Sequence, residues 1–258
     1  MEIQRILANN PGPFTGPGTN TWLLDDGGGH VIVIDPGPVD KEHRKAIENA
    51  VAARAVVSVL VTHNHLDHAP MANPLASSLS VAAIGHAPGP DFEPDVLVSD
   101  GDQLGFGEER LTVIHTPGHS ADHLCFRVGN VLFSGDHIIG GSSVMVEEMG
   151  PYLDSLEKIR GTGVEHIFPG HGDEIDKADE VIDWYVAHRR QRHQEVLRAI
   201  EAGARTIPDI VGVVYAEVDP ALYPLAARSV SAHLRLMSDE GRIAFAGEDL
   251  VTLPPQAP

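Results

Sequence analysis

The 258-residue chain has one cysteine, 5% aromatic residues, and 18 lysines and arginines against 37 aspartates and glutamates. The lone Cys125, set in the apolar stretch Leu124–Val128, excludes an intrachain disulfide and reads as a small buried hydrophobe. The shortage of basic residues leaves a net charge of −19. Such a surface repels phosphate backbones at long range, so nucleic acid is a disfavoured partner, although a local basic patch is still allowed. No run approaches the roughly 20 apolar residues that cross a bilayer, and no membrane association is expected. Residues 1–7 show no basic segment followed by an apolar one, so no secretory leader is read there and a reducing cytoplasm is the expected compartment. The length suits one large domain, or one domain with a small appendage.

Histidine is plentiful, at 15, and its placement is uneven. Thr62-His63-Asn64-His65-Leu66-Asp67-His68 packs three imidazoles and a carboxylate directly behind the β-branched run at 56–61, which reads as a buried strand. Side chains at i and i+2 of a strand point the same way, so His63 and His65 can grip one ion together. Asp67 and His68, beyond the turn, can face a second ion. Imidazole and carboxylate are the usual nitrogen and oxygen donors to zinc and related cations. The competing reading, a polar turn with solvated histidines, fits poorly with a tract that leaves a buried strand.

Residues 22–24 and 31–34 read as a hairpin around a glycine-rich turn, ending on Asp35-Pro36-Gly37, where Asp35 suits a turn. Residues 40–53 have helical periodicity with Asp40 as N-cap, and 69–79 suit a second helix disturbed by Pro74. A strand is expected at 81–84, with His86 in the loop after it and an extended acidic stretch at 91–102. The strand at 111–115 leads to His119. A hairpin at 124–128 and 131–133 turns at Gly129-Asn130 and leads to Asp136, and a strand at 165–168 leads to His171. Each of these residues follows a strand end, where a stiff sheet holds a site while loops vary. The alternation of strands and helices indicates a layered α/β fold.

His63-Asn64-His65-Leu66-Asp67-His68 resembles the H-x-H-x-D-H signature of the metallo-β-lactamase superfamily. Thr116-Pro117-Gly118-His119-Ser120, Phe133-Ser134-Gly135-Asp136 and Phe168-Pro169-Gly170-His171-Gly172 resemble its later boxes, in the same order. The resemblance implies an αββα sandwich of two mixed sheets with the metals in a cleft at one edge. His63, His65 and His119 would hold one metal, Asp67, His68 and His171 a second, with Asp136 bridging. Two zinc ions are implied, with iron or manganese as alternatives, sharing a hydroxide that attacks without any serine or cysteine nucleophile. Asp67 and Asp136 are then the catalytic carboxylates, and Asp67 also orients the hydroxide or shuttles its proton. Asp35 would support the metal site from behind. His123, in Ser120-Ala121-Asp122-His123, is expected either to touch substrate or a supporting carboxylate, or to be a satisfied structural histidine. His137 is expected to be structural, and Ser142, Ser143 and Tyr152 to lie in a specificity loop after Asp136.

Beyond His171, residues 179–202 read as a helix carrying Arg189, Arg190 and Arg192. A short helix follows, capped near Thr206 with Pro208 in its first turn, then a third at 223–238 and two short strands at 242–245 and 250–253 around Gly247. This pattern resembles a winged helix. Together with Asn10-Pro11-Gly12-Pro13, Gly18-Thr19-Asn20-Thr21, Ala232-His233-Leu234 and Glu240-Gly241-Arg242 it is similar to the lactamase-beta-2-like branch, neighbours of glyoxalase II. A catalytic domain at 1–172 and a small C-terminal winged-helix-like domain at 173–258 are expected. The latter holds 9 basic and 15 acidic residues. It is therefore not an electrostatic nucleic-acid binder as a whole, and the three arginines read as a solvated helix face rather than a phosphate contact. It is expected to wall the cleft or to build a homodimer.

The function expected from the resemblance is dinuclear-zinc hydrolysis of a small-molecule ester, thioester, lactone or amide. Metal-dependent cleavage of single-stranded RNA, a non-catalytic metal-binding partner protein, and sulfur dioxygenation with one iron are the alternatives. β-Lactamase activity proper is not expected without a secretion signal.

Overall fold

The computed structural model describes residues 1–140, 143–245 and 251–253, and its strands form two six-stranded sheets. The first takes β1 (Glu2–Leu7), β2 (Asn20–Asp25), β3 (His30–Ile34), β4 (Ala55–Leu60), β5 (Ala82–Gly85) and β6 (Val96–Leu97) in chain order. The second runs in reverse spatial order from β12 (Ile175–Asp176) through β11 (His166–Pro169), β10 (Val131–Gly135), β9 (Leu124–Val128) and β8 (Glu109–His115) to β7 (Gln103–Phe106). Both are mixed: β3, β4, β5 and β6 run parallel, as do β10 and β11, while the hairpins are antiparallel.

Strand alternation decides the layers. Val31, Val33 and Val59 point outward onto Ile47 and Val51 of α1 (Lys41–Val51) and Leu75 of α2 (Ala72–Leu79). Their neighbours Ile32, Ile34 and Leu60 point inward and meet Val113, Phe126 and Phe133 of the other sheet. Trp22 lies in this inner layer, edge-on to Phe168 at 5.0 Å and 84°. On the far side, Cys125, Leu132 and Ile167 pack against α3 (Met149–Ile159) and the first half of α4 (Ala178–Glu201). The result is the expected αββα sandwich.

Local chemistry sets the helix starts. The Asp40 carboxylate accepts from the His43 amide at 2.7 Å, and α1 buries His43, Ile47 and Val51, one residue per turn. The second helix begins at Ala72 rather than 69, which puts Pro74 in its first turn, where the missing N–H has no intrahelical partner to lose. Among the described residues β1, α3, β6, β7 and β12 go beyond the elements read from sequence.

The C-terminal part has its own core. Val196 and Ile200 of α4, Ile210 and Val211 of α5 (Ile207–Val214), and Val230, Leu234 and Met237 of α6 (Tyr223–Asp239) enclose it with Ile243 and Val251. Thr206 and Asp209 form a reciprocal capping box at the start of α5. A two-residue pair, β13 (Ala244–Phe245) with β14 (Val251–Thr252), makes the wing, and Gly247 lies outside the described residues. The cores do not divide at 172. β12 completes the second sheet, and α4 contributes Ile182, Tyr185 and Val186 to the sheet-facing core but Val196, Ala199 and Ile200 to the winged-helix core.

Candidate metal centre

Four strand ends converge at one edge of the sandwich. β4 runs into 62–68, β8 into Thr116-Pro117-Gly118-His119, β10 into Asp136, and β11 into Gly170-His171. The donor atoms fall into two groups, His63, His65, His119 and Asp136 in one, and Asp67, His68 and His171 in the other; within each they lie within 4.8 Å of one another. Asp136 stands between the groups. Its Oδ2 is 3.6 Å from His119 Nε2, and its Oδ1 is 3.4 Å from Nε2 of both His68 and His171. Asp67 Oδ2 closes the second group at 3.1 Å from His171 Nε2.

Hydrogen bonds behind the rings fix which nitrogen faces in. The Thr62 hydroxyl donates its one proton to Asp35 Oδ2 at 2.7 Å, so its 3.0 Å contact with His63 Nδ1 is donated by the ring. His63 Nε2 is left as a lone pair. His68 Nδ1–H donates to Asp35 Oδ2 (2.9 Å), His119 Nδ1–H to the Met145 carbonyl (2.7 Å), and His171 Nδ1–H to the Gly18 carbonyl (3.2 Å). Four imidazoles thus turn Nε2 inward, while His65 presents Nδ1 at 2.9 Å from His63 Nε2 and 3.0 Å from His119 Nε2. Lone pairs so close repel unless a proton or a cation lies between them. Asp136 Oδ1 is buried without a hydrogen-bond partner among the described residues. Inward lone pairs, oxygen-anchored rings and an orphaned carboxylate oxygen fit divalent metals.

The electrostatics agree. Burial holds His63 well below the usual imidazole range, and the nearby His68 and His119 push the same way. Burial also opposes charge on His68, but the carboxylates of Asp136, Asp35 and Asp67 outweigh it and raise that ring well above its usual range. His171 rises to about 9, its burial outweighed by Asp136 and Asp67. Asp67 falls to about 2 because His68 and His171 outweigh its burial. Without metal, protons therefore supply the positive charge that the second group demands.

Asp35 sits at φ 51°, in the left-handed region, which bends the chain after β3 and turns its carboxylate back toward the centre. Its Oδ1 accepts the Thr62 amide at 2.7 Å, and with the two bonds to Oδ2 it carries both Thr62 and His68. Gly170 is required for a different reason. A Cβ there would lie 2.6 Å from Asp136 Oδ1 and 2.7 Å from His68 Cε1, filling the cradle between the two groups.

His123 is fully buried. Its Nε2 accepts the Asp136 amide at 3.1 Å, so its other nitrogen, 2.9 Å from Thr116 Oγ1, carries the proton. Through that bond it holds the main chain of Asp136 in place. Its neighbour Asp122 accepts the Asn64 amide at 2.8 Å. His137 is buried with both ring nitrogens unpartnered among the described residues, and burial pushes it down to about 3. Tyr152 is not a loop residue. It lies in α3, fully buried, donating to the His137 carbonyl at 2.9 Å. Ser143 is exposed, and Ser142 lies outside the described residues. Arg189 departs from a solvated face as well: it is buried, donates to the Val144 carbonyl and stacks over Tyr152 at 5.3 Å. Arg190 pairs with Glu157, and Arg192 with Glu195.

Several supports lie outside the sequence reading. The Met145 and Gly18 carbonyls are backbone atoms with no side-chain signature. The two N-terminal motifs do carry one: Asn10 holds Thr19 through two 2.9 Å bonds, and Asn20 donates to the Pro169 and Gly172 carbonyls at 3.0 and 2.8 Å, which ties them to the His171 loop.

Fold and site define a class, an αββα sandwich with a His/Asp metal-binding cluster at one edge and a winged helix appended. Residues 14–171 match the Metallo-beta-lactamase superfamily and 206–249 the Beta-lactamase associated winged helix domain, and the chain belongs to that superfamily. It is 32% identical to the Beta-lactamase-like protein 2 homolog of Drosophila melanogaster over 261 residues, covering 93% of this chain and 89% of that one. It is 26% identical to the Atrochrysone carboxyl ACP thioesterase AacuM of Aspergillus aculeatus, covering 94% and 83%. The crystal structure of a metallo-beta-lactamase family protein from Thermus thermophilus superposes with a TM-score of 0.80 at 20% identity, covering 98% of each chain.

Proposed function

We propose that this chain is a metal-dependent hydrolase of an ester, thioester, lactone or amide, with a thioester as the first substrate to test and two zinc ions as its cofactor. The observation that carries the reading is the single carboxylate of Asp136, with one oxygen toward each group of donors. His63, His65 and His119 would hold one cation, Asp67, His68 and His171 the other, and Asp136 both. When bound, such a pair supplies Lewis-acid polarisation of a carbonyl and water with a pKa lowered toward about 7. Asp67, whose side chain is 26% exposed while those of His68 and His171 are closed off, is the carboxylate positioned to orient water and take its proton. Neither Cys125 nor Ser120 competes for the role. Burial pushes the Cys125 thiol up to about 12, and Ser120 is engaged with Asp122 at 2.7 Å.

The net charge of −19 weighs against RNA as substrate, and the thioesterase name among the relatives supports acyl chemistry. The test is a panel of thioesters, lactones, β-lactams and single-stranded RNA, with metal content measured on the same preparation. Thioester or lactone turnover that disappears in Asp136→Ala is expected. RNA cleavage lost in that variant, without acyl turnover, would replace this reading with a nuclease.

A further inference from the structure

Between residues 172–175 and α4 lies a cavity of about 750 Å³, within the range of about 300–1,000 Å³ that holds small organic ligands. Its walls belong to the segments that set the second group of donors. Gly172 directly follows His171, Pro17 precedes Gly18, whose carbonyl anchors His171, and Ile139 and Gly140 follow Asp136 by three and four residues. The remaining wall is one face of α4, where Val181, Trp184 and Tyr185 stand at i, i+3 and i+4. Tyr185 is fixed by two bonds to the Ile139 main chain, at 2.9 and 3.3 Å.

Trp184 is 50% exposed, whereas Trp22 is 2% exposed. Its ring stands edge-on to Tyr185 (5.1 Å, 88°) and parallel to His188 (5.1 Å, 6°), so it is held in place while half of it faces solvent. A fixed, half-open indole is a stacking platform for another ring. Every charged side chain lining the cavity is acidic: Asp173, Glu174 and Glu180. Asp173 is offset by Arg5 and Glu180 by Lys177, each at 3.1 Å, while Glu174 has no ion pair among the described residues. An anionic ligand meets repulsion here, and a neutral ring meets an apolar wall.

We propose that this cavity is the acyl subsite of the enzyme, taking a neutral, ring-bearing acyl group and rejecting anionic ones, an inference that rests on the acyl-hydrolase reading. Three thioesters of N-acetylcysteamine, bearing benzoyl, acetyl and succinyl groups, keep the leaving thiol constant while changing the acyl part. The non-hydrolysable S-phenacyl thioether of the same thiol serves as a binding probe for the metal-loaded enzyme. Its binding is expected to quench tryptophan fluorescence saturably in the wild type and not in Trp184→Phe, which keeps the buried Trp22. The benzoyl-to-acetyl ratio of kcat/KM is expected to fall at least tenfold in Trp184→Ala, mainly through the benzoyl KM. The succinyl-to-acetyl ratio is expected to rise at least threefold in Glu174→Lys. Ratios that move less than twofold in both variants would overturn the subsite while leaving the hydrolase reading intact. Saturable quenching of Trp184 in a preparation that hydrolyses none of the three, nor any ester, lactone or amide offered, would overturn the hydrolase reading and uphold the cavity's ligand class.

Discussion

Asp35 carries three hydrogen bonds on two oxygens, and the two partners it positions are Thr62, just before the donor-rich motif, and His68, its last residue. An asparagine in its place cannot accept at both positions, so Asp35→Asn is expected to weaken metal binding about 10- to 100-fold with helical content retained, measured by competition with a chelator and circular dichroism. Protons on His68 and His171 make the same centre pH-dependent. Both rings have folded-state pKa values above the ordinary 6.5, so a cation must displace their protons. Metal affinity is expected to rise at least tenfold from pH 6 to pH 8. Without metal the sign reverses: the stability that protonated His171 contributes is full below about 6.5 and is lost as pH rises through about 9. Denaturation of metal-free protein across that window checks it. The donor residues are legible in sequence because imidazoles and carboxylates behind short β-branched runs are a chemical pattern. The carbonyls that orient the rings are invisible there, since every residue has one.

Among the elements, the α4–α6 seam holds an unusual set of buried polar groups. His233 of α6 is fully buried with both ring nitrogens unpartnered among the described residues, and its ring lies 5.6 Å from His193 of α4. Burial, with His193, Arg189 and Arg192 adding to it, depresses His233 to about 3. A histidine depressed in the fold binds fewer protons there than in the unfolded chain, so its contribution is present above about 6.5 and declines as pH falls toward 3. The loss of stability between pH 7 and pH 5, read by urea denaturation, is expected to shrink in His233→Leu by on the order of 2 kcal/mol. Sequence reading succeeds for α1, β4, β8 and the β9–β10 hairpin because their periodicity and turn residues agree. It misses α3, whose Gly150-Pro151 looks like a helix breaker yet falls in the first turn, where proline costs no hydrogen bond. It also misses β1, whose apolar Ile3, Ile6 and Leu7 do not alternate, and β6, β7 and β12, strands of two to four residues too short for alternation to show.

For the molecule as a whole, the two sheets are scaffolds whose loops meet at one edge, and α4 runs from that edge into the winged-helix core. No helix among the described residues is long and apolar enough to cross a membrane. The layered sandwich is legible because the motif order carries it, whereas the sharing of α4 between two cores is not, since a helix with apolar residues at both ends reads the same whether it serves one core or two. The central claim is that four separate strand ends build one centre for two cations. The most direct measurement is metal content by mass spectrometry after exhaustive dialysis of zinc-loaded wild type, His119→Ala and His171→Ala. About two zinc ions per wild-type chain and about one in each variant are expected. A single ion in the wild type, or two retained in either variant, would contradict it.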